Sequence, residues 1–317
     1  MTTRPTSSTL AQPQPAPTGQ APISPALCIK LVVVAMLWGG TFIAGRVVAQ
    51  AMPLMTAACG RFLVASILLL ILARKTEGGL PRLDRSQAGV TALLGLTGIF
   101  LYNIFFLEAL SRIPAGRTAL FVSLNPIVTA LAASVVFREC LGLRRWLGIA
   151  IALLGATIII TRGDLVETIR DVNQSIGLGE AMMFLAVLSW VAYTLLSRKA
   201  LETLSPIAAT TYGALWGLLF LSFGAAGEIG AIRWTALGWQ AWVSILYLGA
   251  MGTVIAFVWY YQGIRAIGPS RTAVFNNLVP AFGVLLSAVL LGEDILASMI
   301  IGGVVAAFGV SLTNRAP

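Results

Sequence analysis

Histidine is absent from this sequence of 317 residues, and charged residues make up only 10% of it. A chain without histidine has no histidine-based catalytic triad, no histidine-ligated metal and no histidine proton relay. Water-soluble domains carry about 25% charged residues, so this chain has too little charge to cover a soluble surface. These two shortages exclude most soluble enzymes.

Cysteine is also scarce. Cys28, Cys59 and Cys140 form no Cys-x-x-Cys pair, and each lies in or beside an apolar segment. Free buried thiols fit this placement better than a redox or metal site. The sequence also contains no phosphate-binding glycine loop, nucleophile elbow or metal-ligand constellation. We therefore expect no enzymatic activity, no metal and no cofactor.

Basic residues outnumber acidic ones by 21 to 12, which gives a net charge of +9. They are spread thinly between apolar blocks, with no basic run of five or more. A nucleic-acid partner is therefore not expected, because such partners require a basic patch or stripe.

Apolar residues are abundant: they make up 58% of the chain, whose mean hydropathy is +0.89. This composition is typical of a helical protein that crosses the lipid bilayer several times. Residues 1–26 are rich in Thr, Ser, Gln and Pro and are predicted to form a disordered cytoplasmic tail. Ten apolar segments follow, each long enough to cross a hydrocarbon core of about 30 Å. Their approximate bounds are 27–49, 54–73, 88–110, 114–137, 145–161, 177–198, 206–226, 238–263, 269–291 and 295–313.

The distribution of lysine and arginine predicts the orientation. With the N-terminus inside, 13 basic residues fall on the inner side and five on the outer side, a bias that favours cytoplasmic termini. All acidic residues fall on loops or near helix ends. Glu108 and Glu180 are expected within about one turn of the outer surface, and Glu293 and Asp294 are assigned to an inner loop. No carboxylate is therefore expected at the midplane, which argues against obligatory proton coupling.

The sequence also contains an internal repeat. Shifting the chain by 154 positions aligns residues 117–139 with 271–293, with nine of 23 identical. An offset of 152 pairs Trp38 with Trp190. We interpret the chain as two repeats, 27–163 and 177–315, joined by an outer loop at 164–176. Because each repeat has five segments, an odd number, the second is predicted to enter the membrane from the opposite side, as in many secondary transporters.

Three stretches resemble a known family. The sequence Trp38-Gly39-Gly40-Thr41-Phe42, the pair Arg61-Phe62 and the two Arg-Thr-Ala-x-Phe stretches are similar to the EamA type of the drug/metabolite transporter superfamily. The closest resemblance is to bacterial exporters of aromatic and other apolar amino acids. It implies an inner-membrane protein with ten helices, in which the first, third, fourth, sixth, eighth and ninth surround a central substrate cavity.

The resemblance leaves the substrate open. A multidrug exporter of the same architecture is the alternative, although the small four-helix relatives use a Glu in the first helix and nothing acidic occurs here between Leu31 and Val48. An intramembrane enzyme is a more remote alternative, since it would need a polar catalytic cluster at membrane depth.

The candidate substrate-binding residues are aromatic or amide side chains in the predicted cavity helices, because uncharged groups suit a ligand with an apolar side chain and a few polar groups. The alternative is interfacial anchoring for the tryptophans Trp38 and Trp190 and structural hydrogen bonding between helices for Asn125, Asn276 and Asn277. For the other aromatic residues it is packing against lipid or neighbouring helices. The set is Trp38, Thr41, Tyr102, Asn103, Phe106, Asn125, Trp190, Tyr193, Trp259, Tyr260, Asn276 and Asn277.

Four further residues are candidates for gating. Pro126 and Pro280 lie within helices, where proline removes a backbone hydrogen bond and produces a kink. Arg117 and Arg271 lie one turn into their helices, where a cation opposes the helix dipole and needs a compensating partner. That partner is expected to be a lipid phosphate or a nearby loop carboxylate. The alternative is that each arginine gates the cavity by making and breaking such a pair as the cavity alternates.

Small-residue motifs occur in the fifth and tenth segments, at Gly148-x3-Ala152, Gly302-x3-Ala306 and Gly303-x3-Ala307. Such motifs allow helices to pack closely. We expect them to pack inside the bundle, with a dimer face as the alternative, so the chain is predicted to be a monomer or weak dimer.

Overall fold

The computed structural model describes residues 24–137, 142–161, 177–232, 234–267, 272 and 275–314, and the structural statements below refer to these. Most of the predicted tail, the predicted outer loop 164–176, Cys140 and Arg271 lie outside the described residues.

Helices account for nearly all of the described chain, and no strand occurs in those ranges. The first half contains α1 (Pro25–Ala51), α2 (Leu54–Glu77), α3 (Arg85–Arg112), α4 in two parts (Ala115–Phe121 and Asn125–Phe137) and α5 (Leu143–Ile160). The second half contains α6 (Leu178–Ala200), α7 (Pro206–Glu228), α8 in three consecutive parts (Trp239–Leu246, Tyr247–Ile255 and Ala256–Ile267), α9 (Leu278–Leu291) and α10 (Ala297–Asn314).

Six helices are long and apolar enough to cross a membrane: α1, α2, α3, α6, α7 and α8. The others are shorter and also apolar. Many large apolar side chains point outward, for example Phe223 at 74% and Val304 at 65% exposure, as lipid-facing positions require. The predicted all-helical membrane architecture is confirmed. The count of ten crossings in two inverted repeats stays a prediction.

Local sequence sets several helix ends. Ser24 accepts a hydrogen bond from the Leu27 amide, and Asp84 and Gln87 form a reciprocal capping box at the start of α3. Helix α2 ends at Gly78, whose φ of 74° is favourable for glycine. These caps satisfy backbone groups that would otherwise lack partners at the membrane surface.

Helices α5 and α10 pack backbone to backbone. A Cβ added to Gly155 would lie 2.4 Å from the Ala306 amide nitrogen, and one added to Gly309 would lie 2.4 Å from that of Ala152. The motifs Gly148-x3-Ala152 and Gly302-x3-Ala306 therefore lie in the contact between α5 and α10 inside the chain, as expected, whereas Gly303 faces Leu120 of α4.

Candidate functional site

Four helices depart from regular α geometry. A 3₁₀ turn at Val122–Leu124 separates the two parts of α4, directly before Asn125 and Pro126. A second 3₁₀ turn, Phe275–Asn277, precedes α9, which contains Pro280. A 3₁₀ turn therefore lies within three residues before each of the two prolines, and the kinks predicted from the prolines themselves stay predictions. Their role in gating stays a prediction.

Helices α3 and α8 each contain a π-helical segment, Gly95–Leu101 and Tyr247–Ile255. The sequence had given no reason to expect them. Each carries a Gly-x-x-Gly pair that allows close approach of two other helices. A Cβ on Gly98 would overlap the Tyr193 ring of α6, and one on Gly252 would lie 2.6 Å from Thr41 of α1. Such irregular helix segments are frequent at functional sites.

Aromatic rings from α3 and α6 form one contiguous group, here called the α3/α6 cluster: Tyr102, Phe106, Trp190 and Tyr193. Tyr102 stacks on Phe106 at 5.4 Å and lies 5.2 Å from the Trp190 ring, which in turn lies 5.2 Å from Tyr193. Phe106 is fully buried, whereas the other three are partly exposed. The structure thus brings four of the predicted residues together.

A second group, the α1/α8 cluster, consists of Trp38, Phe257 and Tyr260. The Trp38 ring lies 5.7 Å from Phe257 and 5.2 Å from Tyr260, and its Nε1 donates to the Gly252 carbonyl at 3.0 Å. Asn276 donates to the Tyr260 hydroxyl at 3.2 Å. Trp38 and Trp190 therefore lie in different clusters, and no ring contact joins them in the described structure.

The remaining predicted residues have other surroundings. The Thr41 hydroxyl donates to the Trp38 carbonyl in its own helix at 2.6 Å. Trp259 lies beneath the Lys30 ammonium at 5.9 Å, on the side of α8 near the start of α1. The buried Asn125 Oδ1 has no hydrogen-bond donor among the described residues. Asn277 is partly exposed in the turn before α9.

Arg61 is the residue that sequence reasoning missed, since it was noted only as part of a family motif. Its guanidinium extends from α2 to α3 and α8, donating to Asn103 Oδ1 at 2.9 Å and to Thr253 Oγ1 at 3.4 Å. Asn103 is only 1% exposed, and its amide also donates to the Ile99 carbonyl at 2.7 Å. An arginine inside an apolar segment is costly in a membrane, and that signal alone could have identified it.

Two ion pairs lie at the end of the bundle where α4 and α6 begin. Arg117 pairs with Glu180 of α6 at 2.8 Å, and both side chains are only 6% exposed. The partner that Arg117 was expected to need is therefore a carboxylate of another helix. Arg46 of α1 pairs with Glu293 at 3.3 Å and also donates to the Leu110 and Ile113 carbonyls.

The position of Glu293 differs from the one predicted from the sequence. Its carboxylate accepts hydrogen bonds from the amides of Ala115 and Gly116 at 2.8 and 3.0 Å, at the start of α4. It therefore lies at the same end as Arg46, the predicted outer end, and its placement on an inner loop was wrong. The physical reason is the direction of the ninth segment, which leads away from the inner side if the N-terminus is inside.

Two of the pockets among the described residues can be placed in the fold. One is apolar and lies between α4 and α5, lined by Leu120, Phe121, Leu124, Ala156 and Ile159. The other is polar, lies beside the start of α3 and the end of α6, and includes Asp84, Gln87, Lys199 and Glu202. Neither adjoins Trp38 or Trp190, so the central cavity stays a prediction.

Comparison with known sequences gives a consistent picture. The sequence model of the EamA-like transporter family matches residues 26–161 and, separately, residues 177–315. The uncharacterized transporter YyaM of Bacillus subtilis (strain 168) is 29% identical over 282 residues, 89% of this chain and 91% of that protein.

A further relative and a solved structure add detail. A "Probable terminal-alkyne amino-acid exporter" of Streptantibioticus cattleyicolor is 26% identical over 286 residues, which cover 90% of this chain and 92% of that protein. One crystal structure superimposes with a TM-score of 0.63 at 18% identity, over 92% of this chain and 98% of the other. That likeness shows a shared fold.

Proposed function

The chain belongs to the EamA-like transporter family, and from this premise we propose that it is a secondary transporter that exports small amphipathic metabolites, foremost aromatic and other apolar amino acids. It is a multi-pass membrane protein, and its transport function follows from the family. The substrate class rests on one observation: two clusters of aromatic rings, accompanied by amides, lie within the helices predicted to surround the cavity.

The chemistry of the clusters suits such substrates. Partly exposed rings such as Trp190, Tyr102 and Tyr260 offer faces on which an apolar or aromatic side chain can stack. The Asn276 amide and the Tyr260 hydroxyl, already bonded to each other, supply polar groups that fix orientation. The relative from Streptantibioticus cattleyicolor, whose name includes amino-acid export, supports the same class.

Contacts that occur twice, once from each half to the other, support the proposed repeat. Gly98 of α3 packs against Tyr193 of α6, and Gly252 of α8 packs against Thr41 of α1. The offset of 154 relates Gly98 to Gly252, and the offset of 152 relates Thr41 to Tyr193. The two contacts are therefore the same pair of positions, with the glycine in one half and its partner in the other. The Gly155 and Gly309 contacts between α5 and α10 are related in the same way. A two-fold relation between two five-helix repeats, as secondary transporters use for alternating access, accounts for these coincidences.

Counterflow in proteoliposomes tests the function. With equal pH on both sides and ionophores present, vesicles preloaded with phenylalanine should take up labelled phenylalanine, because no described carboxylate lies among the aromatic clusters to carry a proton. Trp190→Ala should lower that uptake about tenfold, since it removes a ring contact and the area the ring buries.

Trp239→Ala is the matched control, because that ring is 70% exposed and lies outside both clusters. Absence of counterflow for every apolar amino acid would overturn the proposal. Uptake that needs an imposed pH gradient would contradict the uncoupled mechanism alone.

Cysteine labelling tests the topology. In a variant with its three native cysteines replaced by serine, Gly230→Cys should react with an impermeant maleimide on intact cells, and Ser86→Cys only after permeabilisation. Both positions are exposed, and a side chain at Gly230 meets no atom within 4 Å. Labelling of Ser86→Cys on intact cells would reverse the orientation predicted from the basic residues.

A further inference from the structure

Arg61 differs from the three arginines that form ion pairs among the described residues. Arg46, Arg112 and Arg117 each contact a carboxylate. Arg61 instead donates to the neutral side chains of Asn103 and Thr253, and no carboxylate of the described residues forms an ion pair with it. A guanidinium has five N–H donors, so these two acceptors leave it under-satisfied. Its Nε is buried and has no acceptor among the described residues.

The depth of Arg61 makes this arrangement costly. Arg61 lies seven residues after the start of α2 at Leu54, about 10 Å from that end at 1.5 Å per residue. Asn103 lies nine residues before the end of α3 at Arg112, about 14 Å from the same end. Within a core of roughly 30 Å, the guanidinium is far from headgroup phosphates. A buried cation at such depth is retained when it serves a function.

The scaffold itself does not require the charge. The offset of 152 that relates α2 to α7 places Gly213 opposite Arg61, and the offset of 154 that relates α3 to α8 places Phe257 opposite Asn103. The backbone contacts are nevertheless preserved. A Cβ on Gly249 would lie 2.8 Å from the Arg61 carbonyl, and one on Gly95 would lie 2.8 Å from the Gly213 carbonyl. The contact that the Arg61 backbone makes with α8 is thus made with α3 by Gly213, the residue at the equivalent position of the second half, which carries no charge.

Arg61 also adjoins the α3/α6 cluster. Its anchor Asn103 directly follows Tyr102 in α3 and lies three residues before Phe106, on the same face of the helix. A fixed positive charge thus lies beside a group of partly exposed aromatic rings. That combination is complementary to a small molecule with a carboxylate at one end and an apolar group at the other.

We propose that Arg61 binds the carboxylate of the transported molecule, with Asn103 as its positioning residue and the α3/α6 cluster holding the apolar part. The inference rests on the proposed transport of small amphipathic metabolites. The carboxylate bonds to Nε–H and to an Nη–H as a bidentate pair and replaces the long contact of Arg61 with Thr253.

Binding of matched ligands to the purified full-length protein tests this. Phenylacetate and phenylacetamide have nearly the same shape, but only the first carries a charge. By titration of tryptophan fluorescence, the wild type should bind phenylacetate at least about tenfold more tightly, because hydrogen bonds to a charged group are the stronger ones. Arg61→Gln should bind both to within about twofold. Arg61→Lys should keep part of the preference, since it keeps the charge and loses the bidentate geometry.

Arg112→Gln is the control, because it removes the same charge from a surface pair with Glu108 and should leave the preference intact. Equal binding of the two ligands by the wild type, or a preference that survives in Arg61→Gln, overturns the proposal. If Arg61→Gln does not fold, the wild-type preference and the Arg61→Lys variant decide. A carboxylate preference without phenylalanine counterflow would refute the proposed substrates alone; counterflow undiminished in Arg61→Gln would refute the role of Arg61 alone.

Discussion

Replacing Glu180 by glutamine should destabilise the folded protein by about 3–5 kcal/mol, the cost of removing one partner from a buried ion pair. Arg117 and Glu180 are both only 6% exposed and lie 2.8 Å apart, so glutamine would leave a buried cation facing a neutral amide. The Glu180 carboxylate also accepts from the Gly177 amide at 3.0 Å. The glutamine oxygen can still accept that bond, so the loss is expected to come from the charge.

Unfolding of the purified protein, followed by tryptophan fluorescence, measures the effect. Glu108→Gln is the matched control: its pair with Arg112 is a partly exposed contact within one helix, which is worth about 0.3–0.5 kcal/mol. The double variant Arg117→Gln/Glu180→Gln should be more stable than Glu180→Gln, because it removes the buried cation together with its carboxylate. Equal stability of Glu180→Gln and Glu108→Gln would show that the buried pair does not hold this end together.

The same pair bears on alternating access. Arg117–Glu180 joins α4 to α6, and Arg46–Glu293 joins α1 to the turn after α9, so together they connect both proposed repeats at the predicted outer end. Applying the repeat offsets to Arg46 and Glu293 gives Arg198 and Glu139. An ion pair between these two residues is the counterpart that the repeat predicts for the inner end.

Helix positions were predictable from sequence because apolar runs of membrane-spanning length are separated by short polar loops. Irregular geometry near Pro126 and Pro280 was predictable as well, since a proline inside an apolar segment cannot complete the backbone hydrogen-bond ladder. Both results depend on information local to one segment.

The contacts of Arg61 and Arg117 were not predictable, because each depends on residues from other segments. Helix α2 was not among the helices expected to surround the cavity, and nothing in its own sequence shows that Arg61 reaches Asn103 and Thr253. The partner of Arg117 was expected to be a carboxylate or a lipid phosphate, but the choice of Glu180 requires knowing that α4 and α6 begin side by side. The π-helical segments also arise from packing, around glycines that seemed unremarkable in the sequence.

Substituting leucine for Gly155 should abolish accumulation of folded protein. A Cβ there would lie 2.4 Å from the Ala306 amide nitrogen and 2.6 Å from the Gly302 carbonyl oxygen. These are backbone atoms, so no side-chain rotation relieves the clash, and α5 and α10 must separate. The cost should exceed the roughly 1–3 kcal/mol typical of overpacking in a core that can adjust its side chains.

Gly89→Leu in α3 is the control, since no atom lies within 4 Å of its added Cβ; leucine there should be neutral or slightly stabilising. Fluorescence-detected size-exclusion chromatography of tagged variants measures the folded fraction.

Gly309→Leu supplies a second comparison, because its Cβ would meet the Ala152 nitrogen and Gly148 oxygen at the same 2.4 and 2.6 Å. If the two halves are related by a two-fold axis, both substitutions should fail to the same degree. A Gly309→Leu protein that folds while Gly155→Leu does not would contradict that relation, because the two glycines would then occupy different surroundings.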